Sequence, residues 1–317
     1  MRRTTIAALA LIALAGPALA QPAAKPLPKP AQPSPAAGVD QAFGAYQRGY
    51  FLTAQKLALE LAARNDPKGM TLLGELYANG LGVGRDDAKA AQWYQRAADL
   101  GDPQAMFALA IFKFAGRGGA ADHAAGVKLF EQAAGLGNVF AAYNLGLLYL
   151  QGRDVPQNSK RAAELFQMAA RAGVPEAQYA LATLYRMGSG VTRDDAEAMR
   201  LMQQAAVAGN LDAMVEFGIA QFNGTAVPQN EAAATMLLRK AAERGSPIAQ
   251  NRLAHILSAG KGVPANPIEA MKWHIVAKTD GRADPELDKF TAAQKPEDRA
   301  AAEKAAKLWL ATEPPHS

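Results

Sequence analysis

The sequence predicts an all-α fold: a right-handed α-solenoid of helix-turn-helix repeats with helical caps. Three observations carry that prediction. The 36-residue stretch Asn138–Gly173 recurs without a gap six times between Asp66 and Gly281, the copies starting at Asp66, Asp102, Asn138, Val174, Asn210 and Ser246. A fixed period of this size marks a stacked array in which each copy completes its neighbour's core. Two columns hold only glycine: Gly80, Gly116, Gly152, Gly188, Gly224, Gly260 at the fifteenth position and Gly101, Gly137, Gly173, Gly209, Gly245, Gly281 at the last. Each follows an apolar helical run, where a residue of positive φ ends the helix. A third column, the twenty-first, reads Asp86, Asp122, Asn158, Asp194, Asn230 and Asn266. Asp and Asn are strong N-caps, so a second helix starts there.

Taken in order, residues 1–20 form a signal peptide: Arg2 and Arg3, the apolar run Ile6–Ala15, and Ala18-Leu19-Ala20 before the cleavage point. The apolar run is too short to span a bilayer, which takes about 20 residues. Processing to a chain beginning at Gln21, periplasmic or secreted and without stable membrane insertion, is the expectation. Residues 21–38 hold six prolines, the composition of a semi-rigid polyproline tether. Such a tether is also able to dock a proline-recognising domain or the cell wall. From Val39 to residue 65 a helix pair with Phe43, Tyr46 and Leu52–Ala63 caps the array. Residues 66–281 are the six repeats, one continuous array. After them, residues 282–317 hold a short helix opened by Asp284-Pro285, a break at Lys295-Pro296, and a last helix over Pro296–Leu310. Ala301, Ala305, Leu308 and Trp309 lie along one face of that helix as its expected packing stripe.

Within each copy the first helix carries a small residue, an apolar–small pair and an aromatic: Ala141, Leu145, Gly146 and Tyr149 in the third. The second carries Ala162, Leu165, Phe166, Ala169 and Ala170 at helical spacing. These columns resemble the Sel-1-like repeat, a relative of the tetratricopeptide repeat, across all of Asp66–Gly281. Departures are modest: Gly119 stands for the loop valine in the second copy, and Lys113, Gln221 and Leu257 for the helical tyrosine. The resemblance implies an α-solenoid that scaffolds protein partners and leaves the partner open.

Chemistry-bearing residues read mostly as structure. His123, His255, His274 and His316 share no metal-ligand spacing on one helix face. His255 and His274 sit on the two helices of the sixth copy and read as groove or surface residues. Asp86-Asp87 and Asp194-Asp195 fall in the capping column and the first turn. The Gly80–Gly84 loop follows no strand, which a phosphate loop requires. There is no cysteine, so helical packing must supply stability, and the cysteine-rich secreted relatives linked to enzyme activity are a different subgroup. The formal charge of +5 falls to +3 once Arg2 and Arg3 leave. With no basic block and no aromatic platform, nucleic acid is not an expected partner. Neither a cofactor, a metal nor a catalytic residue is expected.

What remains is the face of the first helices. By analogy with tetratricopeptide arrays, positions six, ten and thirteen face the groove. They read Phe107, Ile111 and Phe114 in the second copy, Tyr143, Leu147 and Leu150 in the third, Tyr179, Thr183 and Arg186 in the fourth, and Val215, Ile219 and Phe222 in the fifth. Thr71, Glu75 and Ala78 stand there in the first copy, and Asn251, His255 and Ser258 in the sixth. Two readings stay open: an exposed binding surface, or packing between neighbouring first helices. On the first, a partner protein's apolar helix or extended segment lies along copies two to five, and Arg186 pairs with its carboxylate. The expected function is a non-enzymatic periplasmic scaffold. A cell-wall or exopolysaccharide-binding accessory is the alternative, and a cell-wall hydrolase lacks the convergent acid–base cluster it would need.

Overall fold

The computed structural model describes residues 35–312; residues 1–20, read from the sequence as a signal peptide, most of the proline-rich stretch and the last five residues lie outside them. Those residues form sixteen α-helices and no strand. Helix α1 (Pro35–Gln47) begins four residues before Val39, because Pro35 is tolerated at a helix start where its missing N–H has no partner to lose. Helix α2 (Phe51–Ala62) follows after a turn at Gly49.

Every repeat is a helical hairpin. The first helices are α3 (Pro67–Asn79), α5 (Pro103–Ala115), α7 (Val139–Gln151), α9 (Pro175–Met187), α11 (Leu211–Asn223) and α13 (Pro247–Ala259). The second helices are α4 (Asp87–Asp99), α6 (His123–Gly135), α8 (Ser159–Arg171), α10 (Asp195–Val207), α12 (Glu231–Glu243) and α14 (Pro267–Thr279). Both glycine columns adopt positive φ throughout; Gly152 closes α7 at 68° and Gly173 ends the third hairpin at 85°. The capping column acts as its chemistry demands: the Asp86 carboxylate accepts from the Lys89 N–H at 2.9 Å, and Asn158 from Arg161 at 3.0 Å.

The chain divides into two compact bodies, Met1–Met168 and Ala169–Ser317, with the division inside α8. In the first body the hairpins close on glycine. A Cβ added to Gly74 would lie 2.4 Å from the Tyr94 ring, and one on Gly146 would lie 2.6 Å from Phe166. The absent side chain is the space the ring fills, and each buried ring or leucine contributes about 1.5–3 kcal/mol. Between hairpins, Arg117 reaches back to Asp87 at 2.7 Å and to the Ala78 carbonyl at 3.1 Å. That guanidinium and Arg85 hold the Asp87 carboxyl well below the usual range.

In the second body, α15 (Pro285–Ala292) and α16 (Pro296–Thr312) close the array against α14. The packing stripe of α16 is not the expected one. Ala302 and Ala306 are buried, Trp309 meets Trp273 edge-on at 5.4 Å, and Leu308 is 69 % exposed. Seating Trp309 on Trp273 turns the helix by one position, so Ala301 and Leu308 face outward. His274 is also corrected. It is 2 % exposed, standing in the column held by Tyr94, Phe130, Phe166, Met202 and Leu238 in the other copies. It is a core residue rather than a groove one.

Candidate functional site

Positions six, ten and thirteen follow helical spacing and so share one stripe of each first helix. The structure separates them into two classes. Phe107, Tyr143, Leu147 and Val215 are only 3, 2, 5 and 5 % exposed. These four belong to the core and have almost no surface to offer a partner, which corrects their place among the groove residues. Phe107 lies 5.9 Å from the Phe130 ring and 6.2 Å from Phe140. Tyr143 lies 5.8 Å from Phe166. Ile111, Phe114, Leu150, Tyr179, Arg186, Ile219 and Phe222 are half-buried, each with part of its side chain open.

In the first body one of the open residues, Phe114, lines a small cleft of about 240 Å³. Its walls include Phe114, His123, Phe130, Asn144, Leu147 and Leu148, with Gln151, Arg153 and Asp154 at the lip. Phe114 stacks on Phe130 at 5.5 Å and meets the His123 ring at 4.9 Å. His123 Nδ1 donates to Asp154 Oδ1 at 2.8 Å. Near the array's start the stripe is closed: Thr71 and Ala78 are buried, and desolvation raises the Glu75 carboxyl above its ordinary value.

In the second body the polar residues of the stripe, in the fourth and sixth copies, are internally satisfied, while Ile219 and Phe222 of the fifth stay partly open. Tyr179 donates its hydroxyl to Glu216 at 2.7 Å, and Arg186 pairs with the other oxygen of the same carboxylate. Burial together with Glu216 pushes the Tyr179 hydroxyl up. Arg186 is therefore not a cation awaiting a partner's carboxylate. Asn251 and His255 both reach Asp284 Oδ2, at 2.9 and 2.8 Å, while Asp284 Oδ1 caps α15. The neighbouring cleft of about 480 Å³ has its charges matched, Arg193 to Asp195 and Arg186 to Glu216.

The sequence reading missed Glu216 and Asn144, and it placed Asp284 at the start of a helix without seeing its ties to Asn251 and His255. Glu216 and Asn144 occupy the seventh position of their copies, where Leu72, Ala108, Ala180 and Arg252 stand elsewhere. With polar residues in half of the copies, the column carried only a weak signal. Among the described residues no three His, Asp or Glu side chains are placed to hold a metal ion. No helix there is long and apolar enough to cross a membrane.

Stacked hairpins that keep part of an apolar stripe open define a helical-repeat protein of the kind that commonly scaffolds protein–protein contacts. The chain belongs to the Sel1 repeat family, whose repeat matches residues 67–102, 103–138, 139–174, 175–210, 211–246 and 247–279. The solved structure of a Sel1 repeat protein from Oxalobacter formigenes is similar at 28% identity and a TM-score of 0.69, over 76% of this chain and 99% of that one. A protective antigen of uropathogenic Escherichia coli, displaying an SLR fold, is similar at 25% identity and a TM-score of 0.58, over 88% of this chain and 69% of that one. No curated protein matches the chain.

Proposed function

We propose that the protein is a non-enzymatic periplasmic scaffold that binds a partner protein through the open part of its first-helix stripe. The observation that carries this reading is the half-buried apolar set Ile111, Phe114 and Leu150 in the first body, with Ile219 and Phe222 in the second. Partly exposed apolar groups on the stripe of each body gain free energy when a partner covers them. Location rests on the sequence of residues 1–20.

Affinity capture from envelope extract, followed by mass spectrometry, tests both halves of the proposal. The captured protein should be retained by the wild type and lost by Ile111→Ser with Leu150→Ser. Each side chain has already buried most of its surface, so the pair should weaken binding by about tenfold, roughly 1.4 kcal/mol. Phe114 is left alone because its ring also supports Phe130 and His123. Unchanged capture by a folded double variant overturns the surface. Recovery of unprocessed chain from membranes, rather than a soluble form starting at Gln21, overturns the location.

A further inference from the structure

Asn144 is 3 % exposed, yet its side chain is only half satisfied. Its Nδ2 donates to the Phe140 carbonyl at 2.8 Å, while its Oδ1 is buried with no donor. Turning the amide over would set oxygen against the carbonyl of Phe140, so Oδ1 is the free acceptor. A buried acceptor left unserved costs about 1–3 kcal/mol. Asn144 lines the 240 Å³ cleft of the first body.

The repeat register shows why the acceptor is unserved. Glu216 is the same position two copies later. It takes a hydroxyl from Tyr179, at position six of the copy before, and a guanidinium from Arg186 at position thirteen. The residues at those two positions before Asn144 are Phe107 and Phe114. Neither has a donor. The scheme that closes the niche internally in the second body is thus missing both donors in the first.

We propose that this niche is an anchor pocket for one tyrosine or tryptophan side chain of a bound peptide, its O–H or N–H donating to Asn144 Oδ1. The proposal rests on the scaffold function above and names what the scaffold grips. Size favours a single side chain, since the cleft is smaller than the roughly 300–1,000 Å³ of small-molecule sites. Phe114, Phe130 and His123 supply aromatic walls, and ring pairs gain beyond their buried area. A basic side chain is disfavoured because Arg153 stands at the lip and the Asp154 carboxylate already serves His123. A phenylalanine would fill the space and leave Oδ1 without its donor.

The test is selection of a random peptide display library on the full chain, repeated on Asn144→Leu. The expected result is enriched peptides with a fixed Tyr or Trp column that Asn144→Leu loses. A synthetic peptide from that set should bind about five- to tenfold more weakly with Phe in place of Tyr, as one hydrogen bond requires. Phe107→Tyr is the second variant. It supplies a hydroxyl from inside, as Tyr179 does, and should abolish the column while the thermal midpoint holds or rises. Enrichment without a Tyr or Trp column, or a column that a folded Asn144→Leu retains, overturns the pocket and leaves the scaffold standing. Peptides that depend on Asn144 but show no aromatic column would place a backbone N–H on Oδ1, and this also overturns the side-chain assignment. A library from which nothing is enriched overturns the pocket and the scaffold together.

Discussion

Glu216 is a half-buried carboxylate serving two donors at once, Tyr179 and Arg186. Both partners of the ion pair keep about a third of their side chains in water, at 39 and 32 %. Solvent screening therefore holds its worth to about 0.5–1 kcal/mol. A double-mutant cycle of Arg186→Met and Glu216→Gln, followed by urea midpoint, should return a coupling of that size. The Glu216→Gln change keeps an acceptor for the Tyr179 hydroxyl, so it should be the milder single change. Zero coupling would mean that Tyr179 alone positions the carboxylate. None of this was legible in the sequence, because the partners stand 30 and 37 residues apart in different copies. The stripe itself was legible by position. Its division into core and surface was not, since the burial of Phe107 or Val215 depends on how closely the next hairpin lies.

Glycine gives the sharpest contrast among the loops. Gly173 takes φ 85° with open space around its missing Cβ, while Gly84 has open space and a φ outside the left-handed region. Gly173→Val should therefore destabilise by more than about 1 kcal/mol through backbone strain alone. Gly84→Ala should be neutral or stabilising by up to about 1 kcal/mol, because it restricts only the unfolded chain. Thermal midpoints of the two variants check this, and equal midpoints would remove φ as the reason for the glycine columns. Helix ends were readable because caps and positive-φ glycines are local chemistry. The orientation of α16 was not, because its stripe is chosen by contact with Trp273 and no repeat column fixes it.

Two aspartates and their basic partners hold the C-terminal closure in place. Lys278 and His274 both bind Asp288 at 2.8 Å, and they lower its carboxyl below the ordinary value. Burial works to raise the Asp284 carboxyl, but hydrogen bonds from Asn251 and His255 outweigh it and the net shift is downward. Depressed carboxylates stabilise the folded state above the unfolded value, near 3.9 for Asp, and that stability is lost as pH falls below it. The Trp273–Trp309 contact should accordingly loosen between about pH 4 and 2, read as a change in tryptophan fluorescence. Asp284→Asn keeps an acceptor for the α15 cap and removes the charge, so it should weaken the dependence. A flat signal through that range in the wild type would mean that apolar packing alone seats α16. The side-chain ties described above share one more property. The longest, from Arg117 to the Ala78 carbonyl, spans 39 residues. Short spans keep the entropy of loop closure small and favour rapid folding. A chain that emerges N-terminus first thus needs to show little more than one further hairpin before the previous one finds its side-chain partners. Assembly can then keep pace with the chain's delivery, on whichever side of a membrane it folds.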